Sequence, residues 1–424
     1  MNEQPYTPTN LRRRISFTDK CKNEELHDPK NRNKIGEEAF LKITKGLAFS
    51  SGLRQFRLGK KLGYGFTEIS DTVIARQLAN NLRTAYPITQ SNRQFLISNT
   101  VSIMKECLAY HVFRYDIQTF YESIDRKLLL ERIITDGICT WQTVLLLQRL
   151  FDILDIYEIS GLPRGLAVSG ALAELRLLPF DQTIRHNNDV FFYGRFVDDV
   201  LVITSERMKQ AVFDDIVMEA LPEELNLHNG EKRSFISVPA IHTAKKKNDP
   251  VQKFFPFSYL GYKIEISNNT TKGVALGTPL RDVLVDISHN KIQKLQDRLI
   301  KSFTNFISSK RRPQDFKLLK NRIRAITGNY EVRDPSTKVA IRTGIYYSYI
   351  HKNSDSDCAL MKLDRFYRGL MFSNQSMLSI RIRNSVSLNR RKMLIGYSFT
   401  AGFHEKRFHS FSYKSFEQIK KVWL

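Results

Sequence analysis

The stretch "YGRFVDDVLVIT", residues 193–204, places two adjacent aspartates, Asp198 and Asp199, between two apolar and aromatic runs. Short runs rich in aromatic and β-branched residues predict two strands, Phe191–Phe196 and Val200–Thr204, joined at the acidic pair. Carboxylates in a buried segment lose solvation and repel each other. Taken alone, the pair fits a hairpin turn as well as a functional site.

A second acidic position lies in "FRYDI", where Asp116 falls near the end of a predicted strand, residues 111–117. Alone, this aspartate fits a strand end or a helix N-cap. If its strand neighbours the hairpin in one sheet, three carboxylates converge at one place. Hard divalent cations, Mg²⁺ or Mn²⁺, are the partners that such oxygens favour. Two such ions can serve a phosphoryl displacement, so the grouping predicts metal-dependent phosphoryl chemistry.

The composition indicates a polyanionic partner. The 424 residues include 66 Lys and Arg against 43 Asp and Glu, a formal net charge of +23. Such an excess favours nucleic acid over a membrane surface as the partner.

The scattered cysteines form no CxxC pair, which argues against a zinc site or a disulfide framework and for a reducing, cytoplasmic compartment. We find neither a membrane-spanning apolar run nor a signal-peptide core, so no membrane association is expected.

Periodicity predicts a mixed α+β chain. Residues 53–70 read as a hairpin with a basic turn, and the next 40 residues as helices with Asp71 and Ser91 as N-caps. Beyond about residue 285 the pattern becomes basic amphipathic helix, with apolar residues on one face at i+3 and i+4 steps. Residues 1–35 are polar and predict a loose arm or short helices.

At this point the chain resembles reverse transcriptases. Five segments match motifs A to E of that family in order: "YDIQTFYESI" (115–124), "GLPRGLAVSGALAEL" (161–175), "GRFVDDVLVI" (194–203), "LNLHNGEKRSF" (225–235) and "FSYLGYKI" (257–264). Each motif alone is weak, and the five in order are strong. The sequences of motifs A and B are similar to those of bacterial defence-associated, abortive-infection reverse transcriptases.

The resemblance implies a right-hand polymerase fold, an antiparallel fingers and palm region followed by a helical thumb. The implied domains are an N-terminal arm (1–50), fingers (51–110), a palm with part of the fingers (111–270), a helical thumb (271–335) and a basic C-terminal helical region (336–424).

It also implies roles for individual residues. Asp116 and Asp198 match the metal-bridging aspartates and Asp199 a weaker ligand, with the carbonyl of Ile117 as a further one. Lys232 matches a motif D lysine that protonates the pyrophosphate leaving group, and a solvated surface lysine is the alternative. The implied catalytic residues are therefore Asp116, Asp198, Asp199 and Lys232. The implied cofactors are two Mg²⁺ ions, or Mn²⁺.

The resemblance assigns further residues to the nucleotide and the primer. Tyr121 matches the steric gate against a 2′-hydroxyl, with a packed core tyrosine as the alternative, and Gly165 allows close approach of the nucleotide and template base. Lys60, Lys61 and Arg93 fit either the triphosphate or the nucleic-acid backbone. The primer grip would use the backbone of Tyr259, Leu260, Gly261 and Tyr262 and both tyrosine rings.

Two positions depart from the family pattern. Arg164 stands where motif B usually carries glutamine, and its cation can contact the nucleotide, a template phosphate or a nearby acidic residue. Phe66 and Thr67 stand where an arginine is expected in the fingers hairpin. Neither departure removes a metal ligand.

The expected function is RNA-directed DNA synthesis from dNTPs in antiphage defence, with a dedicated noncoding RNA as template and a DNA product. Template-independent or protein-primed synthesis is one alternative, and a catalytically inactive RNA-binding scaffold is another. A partner protein or a homo-oligomer remains open.

Overall fold

A computed structural model describes residues 3–59, 61–241, 253–271, 280–333, 340–354 and 358–423. Lys60, one of the predicted nucleotide-binding residues, lies outside these ranges. The chain divides into two compact units, each formed by two separate stretches. Unit 1 comprises Met1–Leu96 and Leu108–Ala240, and unit 2 comprises Ile97–Cys107 and Ile241–Leu424.

Up to residue 240 the described helices and strands follow each other in this order: α1 (Pro8–Arg13), α2 (Phe17–Lys22), a 3-10 turn (Glu24–His27), α3 (Pro29–Thr44), β1 (Leu53–Leu58), β2 (Lys61–Phe66), α4 (Ile69–Ala85), α5 (Arg93–Met104), β3 (Tyr110–Asp116), α6 (Phe120–Ser123), α7 (Arg126–Asp136), α8 (Trp141–Ile156), α9 (Ala167–Arg185), β4 (Val190–Phe196), β5 (Asp199–Ser205), α10 (Gln210–Ala220), a 3-10 turn (Gly230–Lys232) and β6 (Ser234–Val238).

The sheet that carries the acidic motifs has the strand order β4-β5-β3-β6, all antiparallel. The interior residues of β5 are all buried, which suits its continuous Val, Leu and Ile sequence. Both strands of the predicted acidic hairpin are confirmed, with β4 one residue longer at its start and β5 one residue longer at each end. The sheet therefore holds the acidic turn between rigid, well-packed strands.

Of the two predicted forms of the N-terminal region, a loose arm or short helices, the structure has short helices, and they are packed. The side chains of Tyr6, Leu11 and Leu26 are buried in the core of unit 1. The hairpin predicted at residues 53–70 is confirmed over residues 53–66 as β1 paired with β2, and α4 already begins at Ile69. Asp71 is not the N-cap of α4, which begins after Glu68; the Asp71 carboxylate is instead buried and accepts the backbone N–H of Phe49 at 2.8 Å.

Unit 2 continues with β7 (Phe254–Tyr259), β8 (Tyr262–Thr271), β9 (Leu280–Ile287), α11 (His289–Ser308), α12 (Pro313–Thr327), β10 (Asn329–Arg333), β11 (Ala340–Gly344), α13 (Ile345–Ser348), α14 (Ala359–Phe372), α15 (Met377–Ser385), α16 (Leu388–Ile395), α17 (Phe399–His404), β12 (Phe408–Phe411) and α18 (Tyr413–Lys420). The antiparallel order β7-β8-β9 forms one sheet, and β11-β10-β12 forms another, in which β12 pairs parallel to β10.

The basic amphipathic helices predicted after residue 285 are confirmed as α11 and α12. Leu295, Leu299 and Phe303 are buried along one face of α11, as their spacing predicts. The C-terminal region is mostly helical, but β11 and β12 were not predicted.

The fold class, α+β with antiparallel sheets, is confirmed. In the part of the chain that the structure describes, every helix is too short or too polar to cross a bilayer.

Candidate active site

The sheet brings the three acidic residues together. In the antiparallel register of β3 and β5, Asp116 lies directly opposite Asp199. The backbone N–H of Ile117 donates a 2.9 Å hydrogen bond to the carbonyl of Asp198. The end of β3 is thus joined to the turn between β4 and β5, and residues more than 80 positions apart in the sequence form one acidic site.

The turn that carries Asp198 is held in an uncommon backbone conformation. Phe196 pairs with Asp199, so that Val197 and Asp198 form the two-residue connection between β4 and β5. Val197 has a φ of 62°, and a β-branched residue rarely adopts positive φ because its side chain clashes with the backbone. Such strain costs on the order of 1–3 kcal/mol and persists only where the surroundings impose it.

The buried side chain of Arg195 stabilises this turn by a hydrogen bond to its backbone. The Nη1 atom of Arg195 donates to the Val197 carbonyl at 3.0 Å, and its other nitrogens contact the carboxylates of Asp181 at 2.7 Å and Glu174 at 2.6 Å. The Arg195 side chain is only 4% exposed. A charge buried this deeply is stable only when paired and hydrogen-bonded. Both carboxylates belong to α9. This helix therefore holds the Arg195 guanidinium in position, and the guanidinium in turn holds the Val197 carbonyl of the turn.

Burial and mutual repulsion disfavour ionisation of the acidic pair. Burial raises the pKa of Asp198, the charge of Asp116 raises it further, and Arg164 and Lys61 act in the opposite direction. Burial also raises the pKa of Asp199, although the Arg114 guanidinium works against this. A carboxyl pKa raised by burial and by a neighbouring negative charge marks a site that favours a nearby cation.

Two cationic or titratable side chains contact Asp116. The ammonium of Lys232 lies 2.8 Å from Asp116 Oδ1, and Nε2 of His228 lies 3.3 Å from the same oxygen. The backbone N–H of His228 also donates to the Asp116 carbonyl at 2.7 Å. Lys232 was predicted as a site residue and His228 was not, although both stand in the segment "LNLHNGEKRSF".

Asp199 is oriented differently from its two neighbours. Arg114, two residues before Asp116 on β3, donates from Nε to Asp199 Oδ1 at 3.0 Å and from Nη2 to Oδ2 at 3.3 Å. A bidentate arginine fork engages both carboxylate oxygens at once. The structure therefore places Asp199 in an ion pair. Its partner, Arg114, was not predicted, because the two residues are 85 positions apart in the sequence.

The carboxylates of Asp116 and Asp198 have the chemistry that a hard divalent cation needs. They are neighbouring, largely buried oxygen donors, and the charge of one raises the pKa of the other. Within the described ranges, however, no group of three or more His, Cys, Asp or Glu side chains is arranged to hold a metal ion. With Asp199 engaged by Arg114, the donor set fits a cation through Asp116 and Asp198. The predicted carbonyl ligand, Ile117, directly follows Asp116, and its N–H donates to the Asp198 carbonyl.

The predicted steric gate and the unusual arginine of motif B lie together. The Arg164 guanidinium forms a fork with Glu122, with Nε to Oε1 at 2.8 Å and Nη2 to Oε2 at 3.2 Å. Its Cζ lies 4.9 Å from the centroid of the Tyr121 ring. Burial alone would raise the pKa of Glu122, but the hydrogen bond from Arg164 and its charge outweigh this and lower it. Of the contacts open to Arg164, an acidic residue is the one observed.

The backbone that approaches Gly165 closely is that of strand β2. Gly165 has a φ of 101°, and a Cβ there would lie 2.6 Å from the Tyr64 carbonyl oxygen of β2. The Tyr64 N–H donates to the Arg164 carbonyl at 2.7 Å. Lys61 is the first residue of β2. Its charge contributes to the lowered pKa of Glu122 and acts against the raised pKa of Asp198. Arg93 is the first residue of α5, whose first N–H groups are capped by Asn92, not by the predicted Ser91.

The predicted primer-grip segment is the turn between β7 and β8 in unit 2. Tyr259 pairs with Tyr262, and Leu260 and Gly261 form the turn with φ values of 46° and 83°. Two positive φ angles are typical of a tight hairpin turn. Both tyrosine rings are fully buried, which leaves the backbone and Leu260 as the parts of this segment that reach the surface.

Comparisons with known proteins identify the domain. Residues 60–264 match the family "Reverse transcriptase (RNA-dependent DNA polymerase)". No curated protein sequence matches the chain. Among solved structures, telomerase from Candida albicans, in complex with a TWJ fragment of telomeric RNA, is similar over 74% of this chain and 56% of the telomerase chain, with 11% identity and a TM-score of 0.30.

The chain spans little more than half of that telomerase, and so distant a likeness supports no functional inference. The match to the enzyme family covers motifs A to E, and enzymes of this family are nucleotidyltransferases that generally use divalent metal ions. Residues 60–264 therefore form a reverse transcriptase domain, the domain of an RNA-directed DNA polymerase.

Proposed function

We propose that the protein is a reverse transcriptase that makes cDNA by nucleotidyl transfer, with Asp116 and Asp198 as its catalytic carboxylates. The observation that carries this proposal is the joining of the two aspartates through the Ile117–Asp198 backbone hydrogen bond, inside the matched domain. Bound Mg²⁺, or Mn²⁺, as two ions, would activate the attacking 3′-oxygen and stabilise the leaving oxygen. Asp116 and Asp198 would hold them, together with the Ile117 carbonyl. Asp199 would contribute more weakly, because Arg114 engages both of its carboxylate oxygens.

The surrounding side chains have complementary tasks in this proposal. Lys232, next to Asp116, is the proton donor to the pyrophosphate leaving group. Tyr121 excludes a 2′-hydroxyl from the deoxynucleotide site, which Gly165 and Arg164 border. Lys60, Lys61 and Arg93 supply positive charge to the triphosphate or the template backbone.

The proposed division of labour follows the family. Residues 51–110 are the fingers, 111–270 the palm with part of the fingers, 271–335 the thumb, and the arm and the basic C-terminal region flank them. The segment Tyr259–Tyr262 grips the primer through its backbone. The net charge of +23 supports a bound RNA.

The biological setting that we propose is antiphage defence, with a dedicated noncoding RNA as template, in the bacterial abortive-infection group that motifs A and B resemble. Sequencing the nucleic acid that copurifies with the protein, before and after phage infection, tests this setting. Enrichment of one RNA and its cDNA supports it, and the absence of any enriched RNA or cDNA contradicts it.

The test of the activity is incorporation of a labelled dNTP on an RNA template with a DNA primer in the presence of Mg²⁺. Asp198→Ala should abolish incorporation while RNA binding persists. Glu206→Ala, which removes an exposed acid just after β5, is the matched control and should retain activity. Loss of activity in both variants would point to a general defect.

The same assay separates the two alternatives. If protein freed of RNA still extends dNTPs, the synthesis is template-independent or protein-primed, with any of the 17 tyrosines as a candidate primer. If Asp198→Ala still protects cells against phage, the protein acts as an RNA-binding scaffold and the polymerase proposal for its biological role is wrong.

A further inference from the structure

The Tyr121 backbone is fixed by the loop of motif B. The Leu162 N–H donates to the Tyr121 carbonyl at 2.7 Å. Gly161 has a φ of 58°, and a Cβ there would lie 2.4 Å from the carbonyl oxygens of both Tyr121 and Glu122. Only glycine allows this approach without displacing the backbone. The Tyr121 main chain thus has little freedom, and the remaining question is what holds its ring.

The ring is held on one face by Arg164. The guanidinium carbon lies 4.9 Å from the ring centroid, within the range of a cation–π contact. The Phe120 ring packs at a tilt, 5.3 Å away between centroids. The Arg164 side chain is only 18% exposed, so water screens this contact weakly.

The orientation of the guanidinium is itself determined by Glu122. The fork to both carboxylate oxygens fixes the guanidinium plane as well as its position. The base of the side chain is anchored too, because the Arg164 carbonyl accepts the Tyr64 N–H at 2.7 Å. A glutamine at this position has no charge and cannot form the bidentate ion pair. A lysine has the charge but lacks a planar group to lie over the ring.

We propose that Arg164 and Glu122 form a positioning pair that holds the Tyr121 ring in place and thereby sets the discrimination against ribonucleotides. This inference rests on the proposed polymerase function. A steric gate rejects a 2′-hydroxyl only if its wall does not yield, because a displaced ring relieves the clash at low cost. The glutamate fixes the guanidinium, the guanidinium fixes the ring, and the ring excludes the hydroxyl. The Arg164–Glu122 pair acts through Tyr121 and does not itself meet the sugar.

The test measures kcat/KM for dNTP and rNTP incorporation on the same primer and template. Glu122→Gln, Arg164→Gln and Arg164→Lys should each lower the dNTP over rNTP preference by about fivefold to tenfold, the size of a cation–π contact between held groups. The change should come mainly from a higher kcat/KM for rNTPs. A merely structural defect would lower both values together and leave their ratio unchanged.

The chain offers a matched control in Arg176 and Glu224, another fork with distances of 2.6 and 2.7 Å. Arg176→Gln should leave the preference at the wild-type value. Tyr121→Ala provides the reference for complete loss of the gate.

Three outcomes overturn the proposal, each in a recognisable way. If the wild-type protein incorporates no dNTP on any template, the proposed function fails and the inference fails with it. If it is active but Tyr121→Ala does not change the preference, Tyr121 is not the gate. If Tyr121→Ala relaxes the preference while Glu122→Gln and Arg164→Lys retain it, the gate exists and the positioning pair does not.

Discussion

The ammonium of Lys232 lies 2.8 Å from Oδ1 of Asp116, while the lysine side chain remains 52% exposed. A half-exposed cation resting on a buried carboxylate can leave it without a large loss of packing. The lysine can therefore move between the carboxylate and a leaving group that arrives beside it.

We expect Lys232→Met to lower kcat by about 100-fold, since general acids typically contribute 10²–10⁴ in rate. The KM for dNTP and the affinity for RNA should change little, because the side chain makes its contribution during the chemical step. Single-turnover incorporation measures this. Lys209→Met, at an exposed lysine before α10, is the control, and wild-type kcat in Lys232→Met would exclude a role as proton donor.

Removing the charge of Asp198 should stabilise the fold. Burial and the charge of Asp116 raise the pKa of Asp198, so the ionised form is less favourable in the folded than in the unfolded state. Stability should therefore rise as the pH falls from above the folded pKa toward the unfolded one. Asp198→Asn should increase Tm by roughly 1–3 °C without divalent ions. Millimolar Mg²⁺ should stabilise the wild type and not this variant; an equal response in both would contradict a metal role.

The buried Arg195 should be among the most sensitive positions of unit 1. Arg195→Met leaves Asp181 and Glu174 without their cation, and breaking a buried ion pair on one side costs about 3–5 kcal/mol. Adding Asp181→Asn and Glu174→Gln should recover a large part of this loss. Urea denaturation measures both variants. If the triple variant is no more stable than Arg195→Met, unpaired charge is not the cause.

Two glycines with the same backbone conformation should differ in their response to alanine. Gly161 and Gly137 have φ values of 58° and 59°, but a Cβ at Gly137 meets nothing within 4 Å. Both variants pay the conformational cost of positive φ, about 1–2 kcal/mol. Gly161→Ala should in addition displace Tyr121 and reduce dNTP incorporation more than tenfold, whereas Gly137→Ala should remain active. Equal activity would show that the motif tolerates the displacement.

Unit 2 should lose stability in mild acid because of His409. Burial, followed by the charges of Arg324 and Arg407, lowers the pKa of His409 from 6.5 to about 4. Between these values the unfolded state binds more protons, so the stability present above pH 6.5 declines as the pH falls toward 4. His409→Asn keeps an acceptor for Arg324 and cannot charge, so its Tm should fall less between pH 7.5 and 5. The exposed His404→Asn is the control and should match the wild type.

Local patterns were enough to predict the acidic hairpin and the basic helices. The aromatic and β-branched runs on either side of Asp198 predict short strands from composition alone. The spacing of Leu295, Leu299 and Phe303 follows the period of the helix. The short strand β6 was missed because "SFISV" shows no regular alternation of apolar and polar residues and directly follows a turn. Asp71 was misjudged as a cap because its partners, among them Phe49, come from an earlier loop.

The partners of charged residues could not be predicted in the same way. Arg114 and Asp199 are neighbours only because β3 pairs with β5 in one register, and a shift of one residue would separate them. The contact between Arg164 and Glu122 depends on a loop folding back across α6. Pairing of strands and loops distant in sequence decides such contacts, and a single sequence does not reveal it.

The interrupted course of the two units limits how the enzyme can be dissected. Residues 97–107 stand between two stretches of unit 1, yet the carbonyls of Lys105 and Cys107 accept backbone N–H groups of Arg281 and Ile241 from unit 2. A truncation after residue 240 would strand this segment without those partners. Exchange of C-terminal regions between related enzymes would have to carry residues 97–107 along. The region after residue 240 is therefore not an interchangeable module, and we expect it to have diversified together with the segment that it completes.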